Sequence, residues 1–208
     1  MSRPVLWIVG GVVGLGLIVL LAFSIASEPT DDIYDDITIG FGDVSVSGDP
    51  LPRLADNAGA NDPAVGMMAA TVSGADWSGN SFSIVPDGRP KIVLLLAHWC
   101  PHCQAEVPEI QAWVNAGLAP SDVDLYSVVT LTDPTRDEWP PQRWLEDEGW
   151  TMPVIMDDAQ SSVAVSYGLS GTPFYVVLDG ENRVVGRISG RIGIAALEQL
   201  IAIARASA

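Results

Sequence analysis

Residues 91–103 read KIVLLLAHWCPHC, and this stretch decides the fold. The apolar run from Lys91 to Ala97 predicts a strand that is buried on both faces of a sheet. The residues that follow, from Pro101 to about Gly117, have helical composition. Cys100 and Cys103, the two cysteines of the chain, therefore fall where a buried strand gives way to a helix.

Further elements are predicted on both sides of this unit. Upstream, Ser81 to Val85 and the turn at 86–89 predict a small hairpin that opens the domain. Downstream, strands are predicted at 124–130, 153–156, 174–178 and 183–189, and helices at 134–147 (interrupted by Pro140-Pro141), 161–167 and 194–206. This order predicts an α/β fold with a mixed central sheet covered by helices on both faces.

The composition limits the class of protein. The 208 residues suffice for one domain and an anchor or tail. The net charge of −16 comes from 26 acidic and 10 basic residues. Such a field repels phosphate backbones, so we expect no nucleic-acid partner.

The first residues predict a membrane segment. Val5–Ala26 contains no charged residue, and a helix of that length spans about 33 Å, close to the bilayer core of about 30 Å. Arg3 precedes the run and several acids follow it, which places the rest of the chain outside the cytoplasm. We expect a single-pass anchor in the cytoplasmic membrane, with a cleaved signal peptide as the alternative. With an anchor or with a cleaved signal peptide, the folded domain lies in an oxidising compartment, where disulfides can persist.

The expected domain organisation follows from these patterns. Residues 1–27 form the membrane anchor or signal peptide, residues 28–61 an acidic extracytoplasmic linker, and residues 62–208 the folded domain. The linker is predicted because its segment is rich in acids, glycines and prolines and lacks long apolar runs.

The spacing of the two cysteines points to dithiol chemistry. A helix amino terminus stabilises a thiolate, so Cys100 is expected to be the exposed nucleophile with a lowered pKa. Cys103, one turn later, can attack the mixed disulfide that Cys100 forms with a substrate. A protonated His102 would further stabilise the thiolate, and Pro101 suits the first helical turn.

Two alternatives remain open for these residues. A structural disulfide is one, although so short a loop constrains the unfolded chain little. The other is a metal site, because His98, Cys100, His102 and Cys103 are all metal-binding residue types. That reading makes the chain a copper-handling protein that uses the cysteines as soft ligands.

A set of motifs in order carries a family resemblance. These are Trp99-Cys100-Pro101-His102-Cys103, Glu106-Val107-Pro108, the stretch from Tyr167 to Pro173 that reads YGLSGTP, and the turn Asp179-Gly180. From about Asp62 to the carboxyl terminus the chain resembles the membrane-anchored thioredoxin-like proteins of the TlpA and ResA type, whose domain is of the redoxin kind.

The resemblance implies a thioredoxin-like fold and a protein disulfide oxidoreductase activity. Thr172-Pro173 matches the family's cis-proline loop, which faces the dithiol and binds substrate. Trp99 is expected to pack beside the active site and to bind substrate with that loop, and a simple core aromatic is the alternative. Glu106 resembles the acid kept near the buried cysteine, where it can take or relay a proton. Protein thiols or disulfides are the implied substrates, with a transmembrane electron donor or acceptor as a further partner. No organic cofactor and no metal are expected.

Two positions depart from related patterns. His98 stands where the family usually has a small hydroxyl residue, which leaves open either a second imidazole near the dithiol or a histidine without a redox role. Leu94 occupies the position of the buried acid found in cytoplasmic thioredoxins. The dipeptide Pro101-His102 resembles the oxidising DsbA group, so the direction of electron flow stays open.

Overall fold

The computed structural model of the chain describes residues 40–55 and 61–207. The predicted membrane segment at 1–27 lies outside these residues. Across the two described ranges, every helix is too short or too polar to cross a bilayer.

Eight strands and four helices make up the described part of the chain. The strands are β1 (Ser45–Ser47), β2 (Thr71–Ala75), β3 (Ser81–Ile84), β4 (Lys91–Leu96), β5 (Asp124–Val129), β6 (Val154–Met156), β7 (Phe174–Leu178) and β8 (Val184–Ser189). The helices are α1 (Pro101–Asn115), α2 (Pro141–Asp147), α3 (Ser162–Ser166) and α4 (Gly193–Ala206). Most of these elements were predicted within a few residues of their bounds.

The central sheet has five strands in the order β6-β5-β4-β7-β8. Strands β4, β5 and β6 are parallel, whereas β7 and β8 run antiparallel to their neighbours. This is the mixed sheet that the sequence predicted. Strands β1, β2 and β3 form a separate antiparallel sheet, which is larger than the hairpin expected from the sequence.

Alternation along β4 divides the core between the two faces of the central sheet. Leu94 and Leu96 pack with buried residues of α1, α2 and α4. Val93 and Leu95 point the other way, because neighbouring side chains on a strand face opposite sides, and pack with α3 and the small sheet. All six residues of β4 are buried, so this central strand fixes the position of the segment that follows it.

Two sequence predictions need correction. The helix expected over 134–147 begins only at Pro141, because a residue that precedes a proline is disfavoured in the α conformation, while proline itself suits the first helical position. The described part of the expected linker, residues 40–55, is folded: it contributes β1, and Leu51 and Leu54 lie in the core. The linker therefore does not extend to residue 61 as expected.

Candidate active site

The redox motif lies at the carboxyl end of β4, where the chain turns into α1. The N–H of Cys100 donates to the Ala97 carbonyl at 3.0 Å, which closes the turn. Cys100 then caps α1 with an extended backbone, and its carbonyl accepts the N–H of Gln104 at 3.0 Å. Pro101 occupies the first turn, where its missing N–H costs no helical hydrogen bond. The predicted junction of strand, cysteine and helix is confirmed.

The Cys100 thiol has the properties of a nucleophile. Its residue is 6% exposed, and the Sγ atom lies 3.3 Å from the Thr172 carbonyl oxygen. Burial raises the pKa of Cys100, but hydrogen bonds outweigh this effect, so the pKa lies below its ordinary value. The bonds involve Thr172, Cys103 and the backbone N–H of His102. A lowered pKa increases the thiolate fraction, which is the form that attacks a disulfide.

Cys103 lies in the opposite environment. It is fully buried at 0% exposure in the core under α1. Burial raises the pKa of Cys103 far above its ordinary value, and the nearby Cys100 charge raises it further. The two sulfurs are unbridged thiols in this structure. One turn of helix therefore separates a thiol of lowered pKa from a thiol of raised pKa. The expectation that Cys100 is exposed is wrong, because the loop at Thr172 lies against its sulfur and leaves the residue only 6% exposed. The nucleophilic and resolving roles of the two cysteines stay predictions.

The loop before β7 faces the nucleophile. The Thr172–Pro173 peptide bond is cis, as the family resemblance implied. The loop is held by β8 and the residue after it, because Ser189 Oγ donates to the Gly171 carbonyl at 3.0 Å and the Gly190 N–H donates to the Pro173 carbonyl at 2.8 Å. The backbone beside Cys100 is thus fixed. Substrate binding by Thr172 and Pro173 stays a prediction.

Glu106 is a buried carboxylate in the core below the motif. It is 1% exposed, and its Oε1 atom accepts the N–H groups of Ile192 and Gly193, each at 2.8 Å. These donors lie at the start of α4, so the carboxyl group ties α1 to α4. The position is not the solvated helix surface that an isolated glutamate usually takes. A role of Glu106 in proton transfer stays a prediction.

Trp99 and His98 hold the loop at 131–139, which follows β5. Trp99 Nε1 donates to the Leu131 carbonyl at 2.7 Å, and the Arg136 guanidinium carbon lies 4.4 Å from the centre of the indole ring. Such a stacked arrangement is a cation–π contact. The indole is half-buried and packs against the core cluster that contains Cys100. Substrate binding by Trp99 stays a prediction.

His98 is buried and faces the backbone of the same loop. Its Nδ1 donates to the Asp137 carbonyl at 2.7 Å, and its Nε2 accepts the Asp133 N–H at 3.2 Å. Both ring nitrogens are occupied, so His98 positions the loop and has no nitrogen free for a metal. His102, in contrast, is exposed, and it acts on Cys100 through its backbone N–H. The role of its imidazole stays a prediction.

The arrangement does not favour the metal alternative. In residues 40–55 and 61–207, no group of three or more His, Cys, Asp or Glu side chains is placed to hold a metal ion. His98 was one of the four possible metal ligands in the sequence. Both of its ring nitrogens are hydrogen-bonded to the backbone, so neither is free to bind a metal ion.

Tyr175 is a residue of this site that sequence reasoning missed. It lies on β7 opposite Leu94 and is fully buried in the same core as Cys103. Burial raises the pKa of its hydroxyl far above the ordinary value, and Glu106 and Cys103 raise it further. Alternation along the predicted strand 174–178 could have placed this side chain on the face of α1.

Comparison with known proteins gives the family. The model of the Redoxin family matches residues 47–201. The thiol:disulfide interchange protein DsbE of Haemophilus influenzae is 26% identical over 106 residues, which cover 50% of this chain and 53% of that protein. The sporulation thiol-disulfide oxidoreductase A of Bacillus subtilis is 25% identical over 138 residues, which cover 66% of this chain and 76% of that protein.

Solved structures agree on the fold. A thiol:disulfide interchange protein of the thioredoxin family from Chlorobium tepidum matches with a TM-score of 0.54 and 22% identity, and the match covers 66% of this chain and 94% of that one. The chain spans about half the length of most of the curated relatives it matches. The family match covers most of the folded residues and includes the cysteine pair. The chain therefore belongs to the redoxin family and has a thioredoxin-like fold.

Proposed function

We propose that this protein is a thiol-disulfide oxidoreductase that exchanges electrons with protein dithiols and disulfides through Cys100 and Cys103. The observation that carries the proposal is the contrast between the two thiols. Cys100 is 6% exposed and has a lowered pKa, whereas Cys103 is 0% exposed and has a raised pKa. The names of the relatives, which are thiol:disulfide interchange proteins, support the same chemistry.

The reaction proceeds in two exchanges. The Cys100 thiolate attacks a substrate disulfide, so that a mixed disulfide forms and one substrate thiolate leaves. Cys103 then loses its proton and attacks the Cys100 sulfur, which forms the Cys100–Cys103 disulfide and releases the second substrate thiolate. The protein dithiol is oxidised by two electrons and the substrate is reduced. The reverse sequence oxidises a substrate dithiol.

The test uses the full-length chain in mild detergent, with Cys103→Ser and Cys100→Ser as a matched pair. Reaction with a chromogenic aromatic disulfide should leave a stable mixed disulfide on the Cys103→Ser protein and none on the Cys100→Ser protein. The wild type should release two equivalents of aromatic thiol. Release of a single equivalent by the wild type would contradict the assignment of Cys103 as the resolving residue.

The reduction potential decides the direction of electron flow. It is measured by equilibration in glutathione or dithiothreitol buffers, with Trp99 beside the pair as a fluorescent reporter. A value near about −120 mV, as in DsbA, identifies an oxidant, and one near about −270 mV, as in thioredoxin, identifies a reductant. A pair that cannot be cycled between dithiol and disulfide overturns the proposed function.

We also propose that the domain is held outside the cytoplasmic membrane by the apolar run Val5–Ala26. The length of that run and the charges on its two sides support this location. A membrane-impermeant thiol reagent added to intact cells should label Cys100. Labelling that appears only after lysis would place the domain inside.

A further inference from the structure

A groove lies beside β8, an edge strand of the central sheet. Its volume is about 530 Å³, which falls within the range of about 300–1,000 Å³ that ligand sites usually have. The walls come from β8, from α4 and from the segment at 54–55, and the apolar lining includes Leu54, Ile188, Leu200 and Ile203. We call this space the β8 groove.

The β8 groove is open and apolar. Ile188 is 38% exposed and Ile203 is 46% exposed. Gly186 lines the groove without a side chain, and a Cβ at this position would meet no atom within 4 Å. A single exposed isoleucine is ordinary, but two that flank an unfilled concave space form an apolar patch, and such patches mark binding surfaces.

Charge sets the β8 groove apart from the rest of the surface. The chain has 26 acidic and 10 basic residues, yet Arg187 is the one charged side chain among the described residues that line the groove, and it is paired with the buried Asp62. A second copy of the chain would bring another net charge of −16 against this face, which opposes self-association. The groove therefore favours an apolar segment of a different protein.

The β8 groove is continuous with the loop that faces the nucleophile. Ser170 and Ser189 line the groove, and Ser189 Oγ donates to the Gly171 carbonyl at 3.0 Å. The next residue, Thr172, places its carbonyl oxygen 3.3 Å from Cys100 Sγ. An extended chain advances about 3.3 Å per residue, so a substrate residue about three to five positions from its reacting cysteine can reach the groove.

We propose that the β8 groove binds apolar side chains of an extended substrate segment whose disulfide reacts at Cys100. The inference rests on the proposed oxidoreductase function and names its substrate class, which is polypeptides that are unfolded around the reacting cysteine. In a folded substrate, large apolar side chains lie mostly in the core and cannot enter the groove. The groove therefore selects unfolded chains with large apolar residues about three to five positions from the cysteine.

The experiment compares two synthetic peptides of equal length with the reduced full-length chain in phospholipid nanodiscs. Each peptide carries one cysteine in a disulfide with a chromogenic aromatic thiol, and leucine or serine at the third to fifth positions on both sides of it. The Cys100 thiolate attacks the peptide sulfur, the disulfide breaks, and the aromatic thiolate leaves with the electron pair. The readout is the ratio of the two release rates, in which a general change of activity cancels.

In the wild type, the leucine peptide should react about tenfold faster than the serine peptide, because burial of apolar side chains stabilises its complex. Gly186→Phe fills the groove and should bring the ratio close to one. Ile203→Ser removes an apolar wall and should lower the ratio. The matched control is Leu118→Ser, which alters an exposed leucine outside the groove and should leave the ratio unchanged.

Three results overturn the proposal. The first is a ratio near one in the wild type, and the second is a ratio in Gly186→Phe that equals that of the wild type. The third is self-association of the wild type in sedimentation velocity that Gly186→Phe abolishes, which assigns the groove to a second copy. A wild type that releases no aromatic thiol from either peptide instead refutes the proposed function, so the two failures are distinguishable.

Discussion

Replacement of His98 by glutamine tests whether a buried imidazole ties the loop at 131–139 to the redox motif. The imidazole of His98 is fully buried, accepts the Asp133 N–H and donates to the Asp137 carbonyl. Protonation places a hydrogen on Nε2, where it faces the Asp133 N–H, and the hydrogen bond is lost. A glutamine keeps a donor and an acceptor but has no proton to gain in this pH range.

The sign and size of the effect follow from linkage. Burial lowers the pKa of His98 below its ordinary value of 6.5, although the Asp137 carbonyl and nearby acids act the other way. Below pH 6.5 the unfolded chain then binds more protons at this position than the folded chain does, so the free energy of unfolding falls as the pH falls. If the folded ring stays neutral, the loss between pH 7.5 and pH 5.5 is about 1.4 kcal/mol.

The assay is urea unfolding of the full-length wild type and His98→Gln proteins at several pH values in that range. The difference between the two proteins isolates the histidine, because every other titrating group is common to both. The wild type should lose stability relative to the variant on acidification, by at most about 1.4 kcal/mol. Hydrogen exchange at 131–139 should accelerate at pH 5.5 in the wild type alone. A pH-independent difference between the two proteins would refute the reasoning.

Three further predictions concern the thiols and the packing of the domain. Iodoacetamide at neutral pH should modify Cys100 well before Cys103, because Cys100 has a lowered pKa and is 6% exposed, whereas Cys103 has a raised pKa and is 0% exposed. Peptide mass spectrometry that finds Cys103 modified first contradicts this. Arg187→Ala should lower the free energy of unfolding by about 3–5 kcal/mol, because it leaves the buried Asp62 carboxylate unpaired. The control Arg205→Ala, which breaks an exposed pair with Asp122, should cost under about 1 kcal/mol in the same urea titration. Gly42→Ala should lower the midpoint of thermal unfolding, because the added Cβ would lie 2.0 Å from the Met156 carbonyl oxygen. The control Gly186→Ala should lower it less, because a Cβ there meets no atom within 4 Å. Equal midpoints for the two variants would contradict the packing argument.

Local patterns predicted most of the fold. The strand β4 and the helix α1 each carry a strong periodic signal, and the position of Cys100 between them follows from chain order alone. The helix expected over 134–147 does not include residues 134–139, and the reason is physical. Asp133 accepts the Thr135 N–H and hydroxyl in a local turn, and the prolines at 140 and 141 prevent a helix from running through them.

Contacts between distant residues were not predictable in the same way. Residues 40–55 were predicted to be part of a linker because they hold acids, glycines and prolines and lack a long apolar run. In the structure, the N–H groups of Leu51 and Leu54 donate to the carbonyls of Ser166 and Gly168. The partners of His98 lie 35 and 39 residues away in the chain. Pairings of this kind depend on the assembled sheet, which no local pattern contains.

The environments of the two cysteines also suggest how the exchange is ordered in time. In the reduced protein, Cys103 is buried and its pKa is raised, chiefly by burial and further by the charge on Cys100. A substrate disulfide therefore meets Cys100 first. Once Cys100 is bound in a mixed disulfide its thiolate charge is gone, and one cause of the raised pKa of Cys103 disappears with it. The buried thiol thus becomes easier to deprotonate at the stage when its attack is needed.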